Sequence, residues 1–329
     1  MKRSLLILLG FLIILAAAVA WRLMVEGPVR GAERPTFDPS VLDAVRSIRI
    51  SRAACGVIVG AALSVAGVML QSLLRNPLAS PDLLGLGSGA GLGVMLSIFA
   101  AHQTGRLLPS LAFQTPAALV GSMLAMGLVY ALSQKRGLLD PITLVLVGIA
   151  VAMMCAAGIE FVRYLLPPNY SDAATRMLMG SINDEVPSRA LWVIGSIVLG
   201  STLLGVMAGP AMDASALGDE EARSVGVPLG GLRALLFVLS GVLTACAIAL
   251  AGPIGFVGLV GPHVARLCLG PSHRALIVGA ALFGAALVVG ADCLVRVLEF
   301  GTGRLPISIL TSLLGGPVFI LLLRKRQDP

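Results

Sequence analysis

The chain has 329 residues, 57% of them hydrophobic and only 12% charged, with a mean hydropathy of +0.95 and a net charge of +7. About a quarter of the residues in a soluble domain are charged, so this composition excludes an ordinary globular enzyme or soluble binding module. It points to an all-α polytopic membrane protein.

Nine stretches of 17 residues or more lack Asp, Glu, Lys and Arg: 4–21, 53–74, 83–105, 107–134, 141–159, 190–212, 234–265, 275–291 and 305–323. Roughly 20 apolar residues cross a bilayer as a helix. Stretch 234–265 is too long for one crossing and is cut by Gly252-Pro253, so ten transmembrane helices are predicted. At the start, Lys2-Arg3 and Ala16-Ala17-Ala18-Val19-Ala20 imitate a secretory signal with a small-residue cleavage site. Nine further spans follow, and the first is read as a retained helix.

The connections follow in order. Residues 25–51 form a long outer loop, 76–82 a tight inner turn, and 133–140 a short inner loop with Lys135-Arg136. Segment 163–189 is an outer connection long enough for a short extra helix. Residues 210–233 are the largest inner loop, and 300–304 a tight outer turn. With no low-complexity tail and no soluble unit, residues 1–329 are one transmembrane domain. With both ends inside, Lys and Arg divide 12 to 12, so the positive-inside rule assigns no orientation. Even so, Lys2, Lys135, Lys325 and the 324–326 cluster fall inside. The outer excess is arginine, at Arg22, Arg30, Arg34, Arg46, Arg49 and Arg52. Arginine suits bidentate contact with carboxylates. The outer rim is therefore a docking candidate, against a plain loop balanced by Glu26, Glu33, Asp38 and Asp43.

Two apolar stretches are broken alike. One break runs Arg75-Asn76-Pro77-Leu78-Ala79-Ser80-Pro81-Asp82; the other runs Gly252-Pro253-Ile254-Gly255-Phe256-Val257-Gly258 and on to Gly261-Pro262-His263. Proline removes a backbone donor and glycine loosens a helix. Paired breaks in the two halves of an apolar chain point to a transport pathway. Helices two to five and seven to ten read as a repeat: Gly60, Ala61 and Ala66 precede the first break as Gly241, Ala245 and Ala247 precede the second.

Other chemistry has little support. None of the three lysines follows a glycine, so there is no phosphate-binding loop. The alternating glycines Gly85, Gly87, Gly89, Gly91 and Gly93 are read as a helix-packing face. His102, His263 and His273 sit near helix ends, with no carboxylate placed to orient them and no metal-ligand spacing. The dispersed Cys55, Cys155, Cys246, Cys268 and Cys293 are read as packing residues. No metal site, catalytic residue, cofactor or nucleic-acid partner is expected. Inner residues 217–228 differ from a plain loop. Asp219-Glu220-Glu221 open a short helix, Arg223 lies near its end, Gly226 stops it and Pro228 prevents its resumption.

Taken in order, Arg49-Ile50-Ser51-Arg52, Asn76-Pro77-Leu78-Ala79-x-Pro81-Asp82-x-x-Gly85, Leu217-Gly218-Asp219-Glu220-x-Ala222-Arg223-x-x-Gly226, Ala251 to Leu259, Pro262-His263-x-x-Arg266 and Leu305-Pro306-Ile307 with Thr311, Gly315 and Pro317 resemble one family. These motifs are similar to those of the permease subunits of ATP-binding-cassette (ABC) importers for ferric siderophores, haem and vitamin B12, the type II importers. Ser51 stands where that family has proline, Gly261 where a larger aliphatic residue is usual, and Arg304 where glutamate is usual.

The resemblance implies a type II importer permease fold, homodimeric, in the bacterial inner (plasma) membrane with both termini cytoplasmic. It implies alternating access driven by ATP hydrolysed on separate cytoplasmic ATP-binding subunits. Cargo would come from a periplasmic or lipid-anchored substrate-binding protein. Within 210–233, Leu217, Gly218, Asp219, Glu220, Ala222, Arg223 and Gly226 match the ATPase-coupling element. Arg49, Arg52 and Arg296 match arginines that dock the binding protein, although Arg296 is also spaced i, i+4 from Asp292 for a pair on its own helix. Asn76, Pro77, Pro81, Gly252, Pro253, Gly255, Gly258 and Pro262 belong to the pathway breaks. A ferric siderophore or similar metal chelate is the expected cargo, with haem or cobalamin as alternatives. An ion-coupled secondary transporter, using Glu160 or Asp292, is the rival of another class.

Overall fold

A computed structural model describes residues 2–24, 39–105, 111–135, 138–168, 170, 178–182, 186–298 and 305–325. Its helices are α1 (Lys2–Met24), α2 (Pro39–Leu73), α3 (Leu86–Gln103), α4 (Leu111–Leu132), α5 (Pro141–Leu165), α6 (Ser188–Ser215), α7 (Asp219–Ser224), α8 (Leu229–Ala251), α9 (Val257–Leu269), α10 (His273–Val297) and α11 (Ile307–Lys325). A 3-10 turn (Pro81–Leu84) precedes α3, and a two-residue hairpin, β1 (Gln134–Lys135) with β2 (Leu138–Leu139), joins α4 to α5. Apart from the short α7, these are the ten long helices expected. Seven of them are long and apolar enough to cross a membrane unaided.

Two boundaries differ from the sequence reading. Helix α2 begins at Pro39, so much of the supposed loop 25–51 is helical. Charge-free runs underestimate a helix whose first turns carry Arg46, Arg49 and Arg52. Helix α6 continues through Pro210 to Ser215, shortening the predicted 210–233 loop. A proline costs a helix one backbone donor and its ring crowds the preceding turn, but here the helix carries on past it. Arg30, Arg34, Arg136, Arg304 and residues 169, 171–177 and 183–185 of segment 163–189 lie outside the described residues.

Helices α2, α8 and α10 are the most enclosed, while α1, α4, α5 and α6 present apolar faces outward, as lipid-facing helices do. With no hydrophobic drive between helices in lipid, close association relies on small residues. Gly60 meets the Gly284 backbone: a methyl on Gly60 would lie 2.2 Å from the Gly284 carbonyl oxygen. Gly89 and Gly93 lie against α4 at Ala117, Gly121 and Ala125 in the same manner. The alternating glycines are thus a packing face, as their spacing predicted.

Both breaks turn back into the bundle. In the first, Arg75 adopts a left-handed φ of 47°, the Asn76 side chain accepts the Leu78 N–H at 2.9 Å, and Gly85 at φ 72° admits α3. In the second, Gly252 and Phe256 take φ of 68° and 67°. Helix α2 runs from the arginine-bearing end of the bundle to the end holding α7, and α8 runs the opposite way. The two helices that lead into the breaks therefore run antiparallel, as the corresponding helices of inverted repeats do in transporters.

Candidate coupling, docking and pathway sites

The end of the bundle that holds α7 is organised by one carboxylate. Asp219, the first residue of α7, accepts hydrogen bonds from Arg233 of α8 at 2.8 and 2.9 Å and from Arg75 beyond α2. Partial burial works against its ionisation, but Arg233 and Arg75 outweigh that and hold the carboxyl below its ordinary value. The predicted stop at Gly226 is realised as a Schellman motif. Gly226 N–H donates to the Arg223 carbonyl at 3.0 Å, Val227 N–H to the Ala222 carbonyl at 2.9 Å, and Gly226 has φ 82°. Ala222 is fully buried and anchors the helix, whereas Leu217 is 78% and Val225 68% exposed. Glu220 and Arg223 are also exposed. Glu221 folds back over Gly218, where any side chain would collide with its carboxylate. The result is a short helix with one anchored side and an apolar, charged outer side. The sequence showed its ends but not Arg75 or Arg233 as its anchors.

The opposite end has a buried ion cluster. Arg22 Nε lies 2.6 Å from Asp292 Oδ2, and Arg52 Nη2 lies 2.5 Å from Oδ1. All three side chains are at most 5% exposed. Burying ions costs several kcal/mol each unless geometry and hydrogen bonds are good, and here both carboxylate oxygens are engaged. This changes the reading of the outer arginines. Arg52, expected at a docking surface, faces Asp292 inside the bundle and joins α2 to α10. Asp292 is shared by arginines from two other helices. Half-buried Arg49 donates to the Leu23 carbonyl at 3.0 Å, and Arg296 is partly exposed one turn after Asp292. Sequence places Arg22 only within the outer charge, because its partner is 270 residues away.

Between these ends the two breaks meet. A methyl on Gly258 would lie 2.6 Å from Pro81 Cδ and 3.0 Å from the Leu63 carbonyl oxygen. Pro262 cannot donate to the Gly258 carbonyl, and that carbonyl abuts Gly67 of α2. Gln71 Nε2 reaches the Ala79 carbonyl at 3.5 Å, and Arg266 Nη2 reaches Gln71 Oε1 at 3.5 Å, so α2, the first break and α9 share one polar chain. Gly180, with φ 37°, lies against the Pro253 carbonyl, and the Ser308 N–H of α11 donates to the Gly180 carbonyl at 3.4 Å. Gly315 of α11 admits the Phe256 ring, and Gly255 lies beside Ser312. Exposed Asn76 and half-buried Pro77 form the bend that follows α2. The sequence identified each break but not their contact.

His273 requires a correction. Asp213 at the end of α6 accepts its backbone N–H at 2.9 Å and lies 2.6 Å from its Nδ1, so a carboxylate does orient this histidine. The pair caps α10. The rival ion-coupling candidates have partners as well: Asp292 has two arginines and Glu160 has Arg163 at 3.3 Å.

A family model for the FecCD transport family matches residues 4–325. The hemin transport system permease protein HmuU of Yersinia pestis is 37% identical over 98% of this chain and 97% of its own. The cobalamin import system permease protein BtuC of Halobacterium salinarum is 36% identical over 86% of this chain and 74% of its own. Among solved structures, a metal-chelate-type ABC transporter in an inward-facing conformation superposes with a TM-score of 0.83 at 27% identity, covering 98% of this chain and 99% of that one. Matches of this length leave no segment of these residues for a separate catalytic domain, and the work of the chain is transport. The chain belongs to the FecCD transport family, as a multi-pass permease subunit of a metal-chelate ABC importer.

Proposed function

We propose that two copies of this chain form a pathway for a ferric siderophore or a similar iron chelate, with α7 on the cytoplasmic side and the arginine-bearing end outside. Both termini are then cytoplasmic. The exposed side of α7, with Leu217, Glu220 and Arg223, is the contact for an ATP-binding subunit, and Arg49 with Arg296 forms the docking contact for a substrate-binding protein. The Asp219 staple carries this reading. It ties an otherwise exposed helix to Arg75, the first residue of the break that packs on Gly258. A push on α7 therefore reaches both breaks through side-chain contacts. For alternating access, the coupling contacts must differ between states.

Permease reconstituted in liposomes should accumulate ferric chelate only when ATPase, binding protein and ATP are all present. Uptake driven by a proton or sodium gradient alone would rule the reading out. Haem is the second reading, favoured by the nearly full-length likeness to the hemin permease. Titrating the cognate binding protein with a ferric trihydroxamate, hemin and cobalamin decides among the cargoes.

A further inference from the structure

Asp82 is the second residue of the 3-10 turn, and its depth follows from Pro81. Pro81 lies beside Gly258, which also lies against the Leu63 carbonyl. Leu63 precedes the end of α2 at Leu73 by ten residues, about 15 Å of helix at ~1.5 Å per residue. That is about half of a hydrocarbon layer ~30 Å thick. The turn is enclosed by α2, α3, α5 and α8, yet the Asp82 side chain is exposed. Among the described residues Asp82 makes no hydrogen bond or ion pair, whereas Asp292, Glu160 and Asp219 each have an arginine. A carboxylate at mid-depth is costly against lipid, and such groups face water-filled routes or partners.

From this placement we infer that Asp82 determines which cargo charge the pathway accepts. Its carboxylate lines the water-filled route beside both breaks and imposes a negative potential there. Anionic chelates, such as a ferric tricatecholate, are disfavoured, and neutral or cationic chelates, such as a ferric trihydroxamate, pass. In a two-fold dimer the effect is doubled, because each copy contributes one carboxylate. This inference deepens the chelate-permease reading and rests on it, but its test needs no transported cargo.

The test uses the permease–ATPase complex in proteoliposomes, with the five native cysteines replaced by alanine. Reporter thiols are introduced by Leu78→Cys and, separately, Ser80→Cys. Each is labelled with cationic and anionic methanethiosulfonates of matched size, with and without Asp82→Asn. Ser80 is two residues from Asp82, so their Cα atoms are at most ~7 Å apart. A unit charge at that distance in 0.1 M salt should make the cation-to-anion rate ratio fall about threefold in Asp82→Asn. Asp82→Cys should itself react with the cationic reagent. An unchanged ratio at both reporters, or an Asp82→Cys thiol that reacts with neither reagent, overturns the assignment and puts the turn against lipid or the partner copy. Absence of ATP-driven uptake by the permease that keeps Asp82, with the ratio change intact, would refute the transport reading instead.

Discussion

Each end of the bundle holds an aspartate between two arginines. In one, Arg22, Asp292 and Arg52 are 0%, 2% and 5% exposed; in the other, Arg75, Asp219 and Arg233 are 39%, 34% and 15% exposed. Chemically they are the same, yet they do different work because burial changes the cost of breaking them. Removing one partner of a buried pair strands a charge, at a cost of about 3–5 kcal/mol. An exposed pair contributes about 0.2–1 kcal/mol and is screened by salt. The buried cluster therefore fixes α1, α2 and α10 as one body, and the open cluster holds α7 in a way that can be released and remade. An importer needs both.

Breaking the buried cluster should have the largest effect. Asp292→Ala should destabilise the purified permease by about 3–5 kcal/mol, read as a large drop in thermal unfolding temperature in detergent, while Asp219→Ala should shift it by about 1 kcal/mol or less. Equal shifts would erase the distinction between the two ends. Next in size is coupling: Asp219→Asn should leave insertion and complex assembly intact but lower cargo-stimulated ATPase activity about fivefold or more, the lower range of allosteric coupling. Gly226→Val should act likewise, since a side chain in the left-handed region costs about 1–2 kcal/mol. Wild-type stimulation in both variants would remove α7 from the coupling route.

A smaller effect tests docking. Arg49→Glu should weaken capture of the binding protein and flatten its salt dependence without loss of fold. Arg52→Glu should behave as a stability variant instead. If both variants fold and weaken docking equally, Arg52 is not held inside as described. The smallest effect is in pH. Asp219 has its carboxyl lowered from 3.8 in the folded protein, so its stabilisation is present above 3.8 and is lost only as pH falls below that value through the folded value. The accessibility of a thiol introduced by Ala222→Cys, at the buried anchor of α7, should therefore be flat from pH 8 to pH 5 and rise only in stronger acid. A rise near pH 6 would mean that a different group holds α7.

The helix spans could be read from sequence because the absence of charge over 17–32 residues is a local signal with one physical cause. The stop at Gly226 was legible for the same reason, since a Schellman motif is closed by residues within one turn. Pro210 misled because the helix continues past it, and Arg46, Arg49 and Arg52 hid three helical turns because charge does not prevent a helix outside the hydrocarbon. The contacts that make the ends different were not legible. Arg22 with Asp292, Arg75 with Asp219, and Pro81 with Gly258 join residues 144 or more positions apart. Local pattern carries no information on such pairs. The family resemblance placed Arg52 at a docking surface, and nothing local to it in the sequence indicated Asp292 as its partner 240 positions away.

The buried cluster also imposes an order in time. Arg22 lies in the last turn of α1, and Asp292 follows 270 residues later. At ~5–20 residues per second this is roughly 15–50 s of synthesis. Until then Arg22 and Arg52 lack the aspartate that they share in the folded protein. Helix α10 is thus the keystone of biogenesis. A ribosome product that stops short of it leaves two arginines without their shared aspartate for the cell's quality control to detect.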